Sequence, residues 1–487
     1  MMEIKTQEKT RKRSFYKWHR ILGLISLVPV IFWTISGLSH PFMSNWFRPF
    51  IPQEVFKPLN QQQMAPKLTL QEVLDKNQIS RLRNFGLINF DKGTFYQVLD
   101  ADSSYTYYSA NNGNVLINGD QKYATYLARY FTQDSTSAVK SITIQKTFDG
   151  TYQPINRLLP VWKVSFDRPD GMDIYVETSQ SRLGTFNNNT RKAFLWIFRQ
   201  FHNWEFLANA GGEKFRICVL LVVVTLMLAS LLSGITVYGL FWNRFKQIQQ
   251  KRNANGSEDK RFIHRFHRQL GLIVSFVMLT FIVSGGFHLW VKLQNMHTDS
   301  KPFKQLIKRD QLQQSNLRLT LPDSLIKHVS LISFNNKVYY QVQKKNKEIV
   351  YYDAANGKEL INGDQDFAVY LSNYYRGGNN NGNNNQQIKT ELIKQFTNEY
   401  GFINKRLPVV KVSYANQEDW YVETSSAKLA TKVAGLDRTE GFSFIFLHKY
   451  FGMTCAGKNI RDIVSMLAAA GVLVVSLFGF AAFLKNK

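Results

Sequence analysis

Residues 17–40 read KWHRILGLISLVPVIFWTISGLSH, and residues 265–288 read RFHRQLGLIVSFVMLTFIVSGGFH. The two stretches align without a gap at an offset of 248 positions. Each opens on a basic residue followed by an aromatic residue and His-Arg, and each closes on a histidine. Between His19 and His40, and again between His267 and His288, the residues are almost all apolar. At about 1.5 Å per helical residue that separation spans roughly 31 Å, close to the hydrocarbon thickness of a bilayer. The pattern predicts two membrane helices with a histidine at each face. An ionisable side chain at that depth is costly, so it is expected to face the bundle interior and to bind or relay something.

Two further apolar segments bring the predicted spans to four, at about 21–43, 217–242, 269–291 and 463–484. The mean hydropathy of −0.24 is too polar for a transporter made mostly of membrane helices. Large polar domains must therefore lie between the spans. The short segments KTRKRSFYKWHR (9–20), NRFKQIQQKR (243–252) and LKNK (484–487) carry the basic residues that flank the spans. The positive-inside rule assigns these three to the cytoplasm and the two long connections to the outside. A cleaved signal peptide is the rival for the first span. It is disfavoured because the span exceeds an ordinary signal core and its twin sits in mid-chain.

Self-comparison extends the match over the whole chain. YYSANNGNVLINGDQ (107–121) pairs with YYDAANGKELINGDQ (351–365), and LPVWKVSF (159–166) with LPVVKVSY (407–414). YVETS occurs at 175–179 and at 421–425, and Phe201-His202 pairs with Leu447-His448. The predicted fold is a membrane protein: a four-helix transmembrane bundle from two parallel repeats, each carrying an external α+β domain. The expected segments are 1–43 (tail and first span), 44–205 (external domain), 206–242 (second span), 243–268 (cytoplasmic loop), 269–291 (third span), 292–450 (external domain) and 451–487 (fourth span and tail). Asn112-Gly113 and Asn356-Gly357 predict hairpin turns, and residues 123–131 and 367–375 predict helices. The tract GGNNNGNNNQQ from Gly377 reads as a flexible surface insertion.

Six of the nine histidines obey the repeat: His19 with His267, His40 with His288, and His202 with His448. Two imidazoles at matching positions can reach each other across a symmetry axis, and haem iron held by two axial histidines suits electron transfer. Small residues near them, Gly23, Gly37, Gly271 and Gly285, would let a flat macrocycle sit between helices. Arg20 and Arg268 are placed to neutralise haem propionates. His19 and His267 fall on the cytoplasmic side and the other four on the outer side. Those four leave two arrangements open: one haem plus a substrate or metal site, or two haems. His264, His297 and His328 lack counterparts; His264 is expected on the basic face, the other two on external surfaces. Cys218 and Cys455 are not equivalent by the repeat and read as free thiols.

In their order along the chain, W-H-R-x-x-G-L at Trp18, F-H-R-x-x-G-L at Phe266, the Ser-Gly near the end of each span, and the Phe-His and Leu-His before the second and fourth spans resemble the PepSY-associated transmembrane family. This family is also called iron-regulated membrane proteins and includes siderophore-iron reductases of the bacterial inner membrane. The strand-turn stretches at Tyr107 and Tyr351 look like its PepSY pattern, although YVETS lacks the family's glycine. The resemblance implies a multi-pass protein of the bacterial inner (cytoplasmic) membrane, with both termini cytoplasmic and the large domains periplasmic. It implies haem b, two per chain, with ligands among His19, His40, His202, His267, His288 and His448. Quinol or a protein donor would supply electrons, and a ferric siderophore or other ferric chelate would receive them; membrane lipid is the other partner, and nucleic acid is none. The net charge of +26 would favour anionic chelates on the outer side. A non-redox PepSY-type binding or regulatory protein is the alternative. A metal-ion transporter is disfavoured because the spans offer few polar stepping stones.

Overall fold

The computed structural model describes residues 2–53, 66–255, 262–295, 302–312, 325–377 and 389–485. The Asn-rich tract after Gly377 and His297 lie outside the described residues. Two compact units emerge, each assembled from separate stretches of chain. A helical unit comprises Met1–Arg48, Thr190–Asp299 and Leu436–Lys487, and a sheet unit comprises Pro49–Asn189 and Ser300–Gly435.

Four helices of the first unit are long and apolar enough to cross a membrane: α1 (Met2–Pro41), α2 (Glu205–Leu240), α3 (Phe262–Gln294) and α4 (Lys458–Leu484). Each begins in polar sequence ahead of its apolar run, because a helix that leaves the hydrocarbon keeps its internal hydrogen bonds. α1 packs on α2 and α4, and α3 packs on the same two, so α1 and α3 lie on a diagonal. Val30, Met227, Ile282 and Val472, one from each helix, form the buried middle layer. Hydroxyls inside the bundle donate to carbonyls one turn back, as Thr34 does to Val30 (2.7 Å), Ser36 to Phe32 (2.7 Å) and Ser284 to Thr280 (2.6 Å). In hydrocarbon no water would satisfy them otherwise.

The residues just before α2 and α4 belong with the helices and not with the sheets, so the units divide at 189/190 and 435/436, earlier than the expected 205 and 450. Helix Asn189–Ile197 runs into a π turn, Phe198–His202, which packs on α1. Helix Gly435–Ser443 runs likewise into Phe444–His448, which packs on α3. Some aromatic residues of these segments pack on the bundle: Phe201 meets Phe32 edge-on with ring centres 4.9 Å apart, whereas Trp196, Phe442 and Phe446 are exposed. Gly212 (φ +82°) breaks α2 after its first turns and Gly457 (φ +85°) leads into α4, a backbone that side chains with a Cβ rarely adopt.

In the sheet unit one plan occurs twice. An antiparallel meander (Asn84–Phe90, Gly93–Leu99, Tyr105–Ser109, Val115–Leu116) is followed by helix Gly119–Thr132 and a second meander (Val139–Gln145, Val161–Phe166, Asp173–Glu177, Arg182–Asn187). Later, Ile326–Phe334, Lys337–Lys344 and Ile349–Asp353 precede helix Gly363–Tyr375 and the meander Lys389–Ile393, Val409–Ser413, Asp419–Glu423, Lys428–Val433. The turns fall at Gly113 (φ +74°) and Gly357 (φ +70°), as the Asn-Gly pairs predict. Gly119 and Gly363 open the helices because a Cβ there would sit 2.5 Å and 2.9 Å from the Cβ atoms of Tyr107 and Tyr351. The faces of the two first meanders share one core, in which Phe85, Leu87 and Val98 meet Val329, Leu331 and Val342. His328, expected on an external surface, is half-buried: a Cβ on Gly86 would lie 2.9 Å from its Cε1.

The YVETS glutamates do not face solvent. Glu177 and Glu423 are both buried. Arg182 bridges them, with Nε 2.5 Å from Glu177 and a bidentate pair of bonds at 2.6 and 3.0 Å to Glu423. Arg406 adds a 2.6 Å contact to Glu423, and Lys428 a 3.2 Å contact to Glu177. Burial opposes ionisation of Glu177, but Arg182, Lys428 and Arg406 outweigh it and hold the carboxyl down at about 2. Glu423 is held lower still by Arg182 and Arg406 against the same penalty. A second duplicated network lies nearby: Gln97, Tyr107 and Asp120 are hydrogen-bonded in series, and so are Gln341, Tyr351 and Asp364.

Candidate functional site

At one end of the bundle α1 and α3 present His19 and His267, whose ring centres are 6.2 Å apart. Each imidazole is anchored by its Nδ1 to the helix beside it. His19 Nδ1 lies 3.2 Å from the Ser230 carbonyl and 3.2 Å from Ser233 Oγ on α2, and His267 Nδ1 lies 3.0 Å from the Val475 carbonyl on α4. Each ring also rests on a glycine, since a Cβ on Gly234 or Gly479 would stand 2.9 Å from the Cε1 of His19 or His267. Any larger residue would push the imidazole off its helix.

Toward the other end, beyond the Val30 layer, His202 and His448 face each other with ring centres 6.4 Å apart. Their Nδ1 atoms meet Ser36 Oγ at 3.2 Å and Ser284 Oγ at 3.1 Å. The π turns that carry them hold one extra residue per turn, a feature frequent at functional sites. Phe198 stacks on His202 at 4.4 Å, and Phe444 on His448 at 4.8 Å. Those two phenyl rings also touch the remaining histidines: Phe198 is 5.4 Å from His40, and Phe444 is 4.8 Å from His288. His40 is exposed and its Nδ1 lies 3.5 Å from Ser44 Oγ, whereas His288 Nδ1 contacts Glu440 Oε1 at 2.6 Å.

Of the six repeated histidines, then, four converge as two facing pairs, and His40 and His288 stand outside the second pair, behind phenylalanines. Arg20 and Arg268 lie at the His19 end but sit over aromatic rings, Arg20 at 4.8 Å from Phe483 and Arg268 at 4.1 Å from Phe245. Gly23 and Gly37 have no neighbour within 4 Å of an added Cβ, Gly271 would meet Val475 at 3.6 Å and Gly285 would meet His448 Cε1 at 4.0 Å; within the bundle the closest glycine–histidine contacts are those of Gly234 and Gly479. Those two recur at an offset of 245, but their helices carry no histidine, so nothing in the local sequence ties them to one. Nothing in the sequence pointed to Glu440. Cys218 and Cys455 are free and exposed, as expected.

The donor set is specific. The ring centres of the two pairs stand 6.2 and 6.4 Å apart, leaving space for a ligand between facing imidazoles. With Nδ1 engaged by a carbonyl or hydroxyl, Nε2 is the nitrogen left for a ligand, the arrangement by which outer partners orient metal-binding histidines. Among the described residues no group of three or more His, Cys, Asp or Glu side chains converges as a bare metal ion would require. Two-imidazole sites fit a metal that brings its own equatorial ligands.

A bundle of four membrane-crossing helices joined to paired antiparallel meanders defines a multi-pass membrane protein with large polar modules. The chain belongs to the family of the PepSY-associated TM region, whose model matches residues 120–486. A comparison with curated proteins found no match.

Proposed function

We propose that this chain is a transmembrane electron carrier that holds two haems b, one between His19 and His267 and one between His202 and His448, and reduces a ferric chelate, with ferric siderophores as the leading class. The observation that carries this reading is the pair of facing, Nδ1-anchored imidazole couples set on opposite sides of one apolar layer. Haem bound by two histidines supplies one-electron transfer with the iron closed to small molecules. The chain's own part is positional. Ser230, Ser233, Val475, Ser36 and Ser284 hold the imidazoles, Gly234 and Gly479 leave room for them, and Val30, Met227, Ile282 and Val472 exclude water and ions from the space between the pairs.

The matched halves support a chain of two parallel repeats, and the basic flanks of the spans support cytoplasmic termini and periplasmic sheet domains in a bacterial inner membrane; electrons would enter from the cytoplasmic side, given by membrane quinol or a protein donor. A purified chain from haem-replete cells is expected to show a Soret band and about two haems by pyridine haemochrome. His19→Ala and His202→Ala should each remove about half of that haem, and the double variant nearly all of it. A colourless wild-type preparation, or full haem in the double variant, would refute the reading and favour a non-redox binding protein.

A further inference from the structure

The His40 and His288 sides of the bundle occupy matching positions yet carry opposite charge. Corresponding residues are identified by chain offset and backbone: Trp204 (φ +50°) with Tyr450 (φ +51°), and Gly212 with Gly457. On that register Asp437, Glu440 and Glu213 on one side stand where Arg191, Phe194 and Lys458 stand on the other, and Asn203 answers to Lys449.

Around His288 the acids are close and in use. Glu440 contacts the imidazole, Glu213 holds Lys292 at 2.7 Å and also Arg216, and Asn295 donates to Asp437 at 3.0 Å. Around His40 cations gather from four separate elements. Lys449, Lys458 and Arg461 all bear on His40, with Asp462 the acid among them; Lys449 also feels Glu440 and lies over the Phe444 ring at 5.3 Å, at the border with the other side. Asn45 ties the end of α1 to this corner through Asp462 (3.1 Å) and Asn459 (2.9 Å), and Lys458 Nζ donates to the Ser44 carbonyl at 3.2 Å. Arg48 bears on Lys458 and on Arg191, whose guanidinium is pushed down to about 10, first by burial and then by Arg48. Arg461, which answers to Arg216, has Asp462 no nearer than 3.7 Å and lies over the Phe451 ring at 4.4 Å, whereas Arg216 is held by Glu213 and by the Asn203 carbonyl at 2.6 Å. Like charges held together at a membrane edge repel unless an anion settles among them.

We propose that the cluster of Arg48, Arg191, Lys449, Lys458 and Arg461 beside His40 binds the carboxylate groups of an anionic ferric chelate, so that substrate is reduced on the His40 side and not on the His288 side. This rests on the electron-carrier reading above. In each turnover one electron leaves the reduced chain and converts the chelated ferric ion to ferrous; no bond of the chelate breaks. Phe198, in contact with both His40 and His202, lies between that corner and the facing histidine pair.

The test uses the full chain in detergent, reduced with dithionite freed of excess, and mixed rapidly with ferric–EDTA, a singly negative chelate, or with ferrioxamine B, a singly positive one. Reoxidation is followed at the Soret band. Lys458→Glu, which installs the charge found at the corresponding position, should slow ferric–EDTA about tenfold at low salt and leave ferrioxamine B unslowed. Lys292→Gln, on the His288 side, should change neither rate. In the wild type the ferric–EDTA rate should fall with rising salt, a check that survives if the variant fails to fold. Equal effects of Lys458→Glu on both chelates, a salt-independent wild-type rate, or loss of co-purified phospholipid in Lys458→Glu with unchanged rates would each overturn the proposal, the last by making the site a lipid-headgroup site. Absence of a Soret band would instead sink the electron-carrier reading. Calorimetric titration with ferric–EDTA, expected to give binding to wild type and loss of binding in Lys458→Glu, then decides the site alone.

Discussion

The helical unit and the sheet unit both use residues that occur twice in the sequence, and they use them in opposite ways. In the sheet unit the duplicated groups satisfy one another: Glu177 and Glu423 share Arg182, and Tyr107 and Tyr351 close on Asp120 and Asp364. In the helical unit the duplicated histidines are satisfied on one nitrogen and open on the other. A recurring polar residue therefore has two physical meanings. Where its hydrogen-bonding capacity is consumed by the fold it is structural, and where half remains it is free to hold the ligand proposed above.

The contrast can be broken most forcefully at Glu423. Glu423→Ala leaves Arg182 and Arg406 buried without their shared carboxylate, and is expected to destabilise the sheet unit by about 3–5 kcal/mol in denaturant unfolding followed by tryptophan fluorescence. Haem content of the folded fraction should not change. If haem is lost in step with Glu423, the division between structural and ligand-holding residues fails.

Acid probes the same clamp. The carboxyls of Glu177 and Glu423 titrate lower in the folded chain than in the unfolded one, the first at about 2. Their stabilising contribution is therefore fully present above the unfolded value of about 4.3 and is lost as pH falls through the folded values. Asp364 acts in the other direction, because burial raises its carboxyl to about 6. Its contribution is present below about 3.9 and is lost as pH rises through about 6. Thermal melting of the sheet unit against pH should show a steep acid limb, removed in Glu423→Ala, and a shallower loss near pH 6 that Asp364→Asn abolishes.

A smaller effect is expected at Gly479→Ala, where the new methyl meets His267 Cε1 at 2.9 Å. The ring must shift, so the low-spin electron paramagnetic resonance signal of the His19–His267 site should move while that of the His202–His448 site stays. Smallest is Trp162→Phe. The indole N–H donates to Asp120 at 2.5 Å, and the corresponding position by the repeat is Val410, so the substitution makes the first half resemble the second. It should cost about 1 kcal/mol and move the titration of Asp120 upward, toward that of Asp364.

Much of this architecture was legible in the chain. The spans follow from apolar runs of bilayer length, the turns from Asn112-Gly113 and Asn356-Gly357, and the histidine candidates from their recurrence. Other features were not. YVETS recurs as plainly as the histidines do, and nothing in its letters separates a buried clamp from an exposed binding edge. Gly23 and Gly37 look like the small residues of a ligand pocket, but Gly234 and Gly479 are the ones that abut imidazoles.

By itself the sequence determined which segments could cross a membrane and which residues recur, the histidines among them, because these depend on composition and on spacing along the chain. The recurrence also offered the pairs; tertiary structure alone decided that His19 meets His267 and His202 meets His448 while His40 and His288 stay apart. The pairing of His19 with His267 and of His202 with His448 depends on α1 and α3 lying on a diagonal and on the π turns that pack against them. Such contacts join residues hundreds of positions apart, and the physical reason they escape the sequence is that no local periodicity encodes the packing of one helix against another.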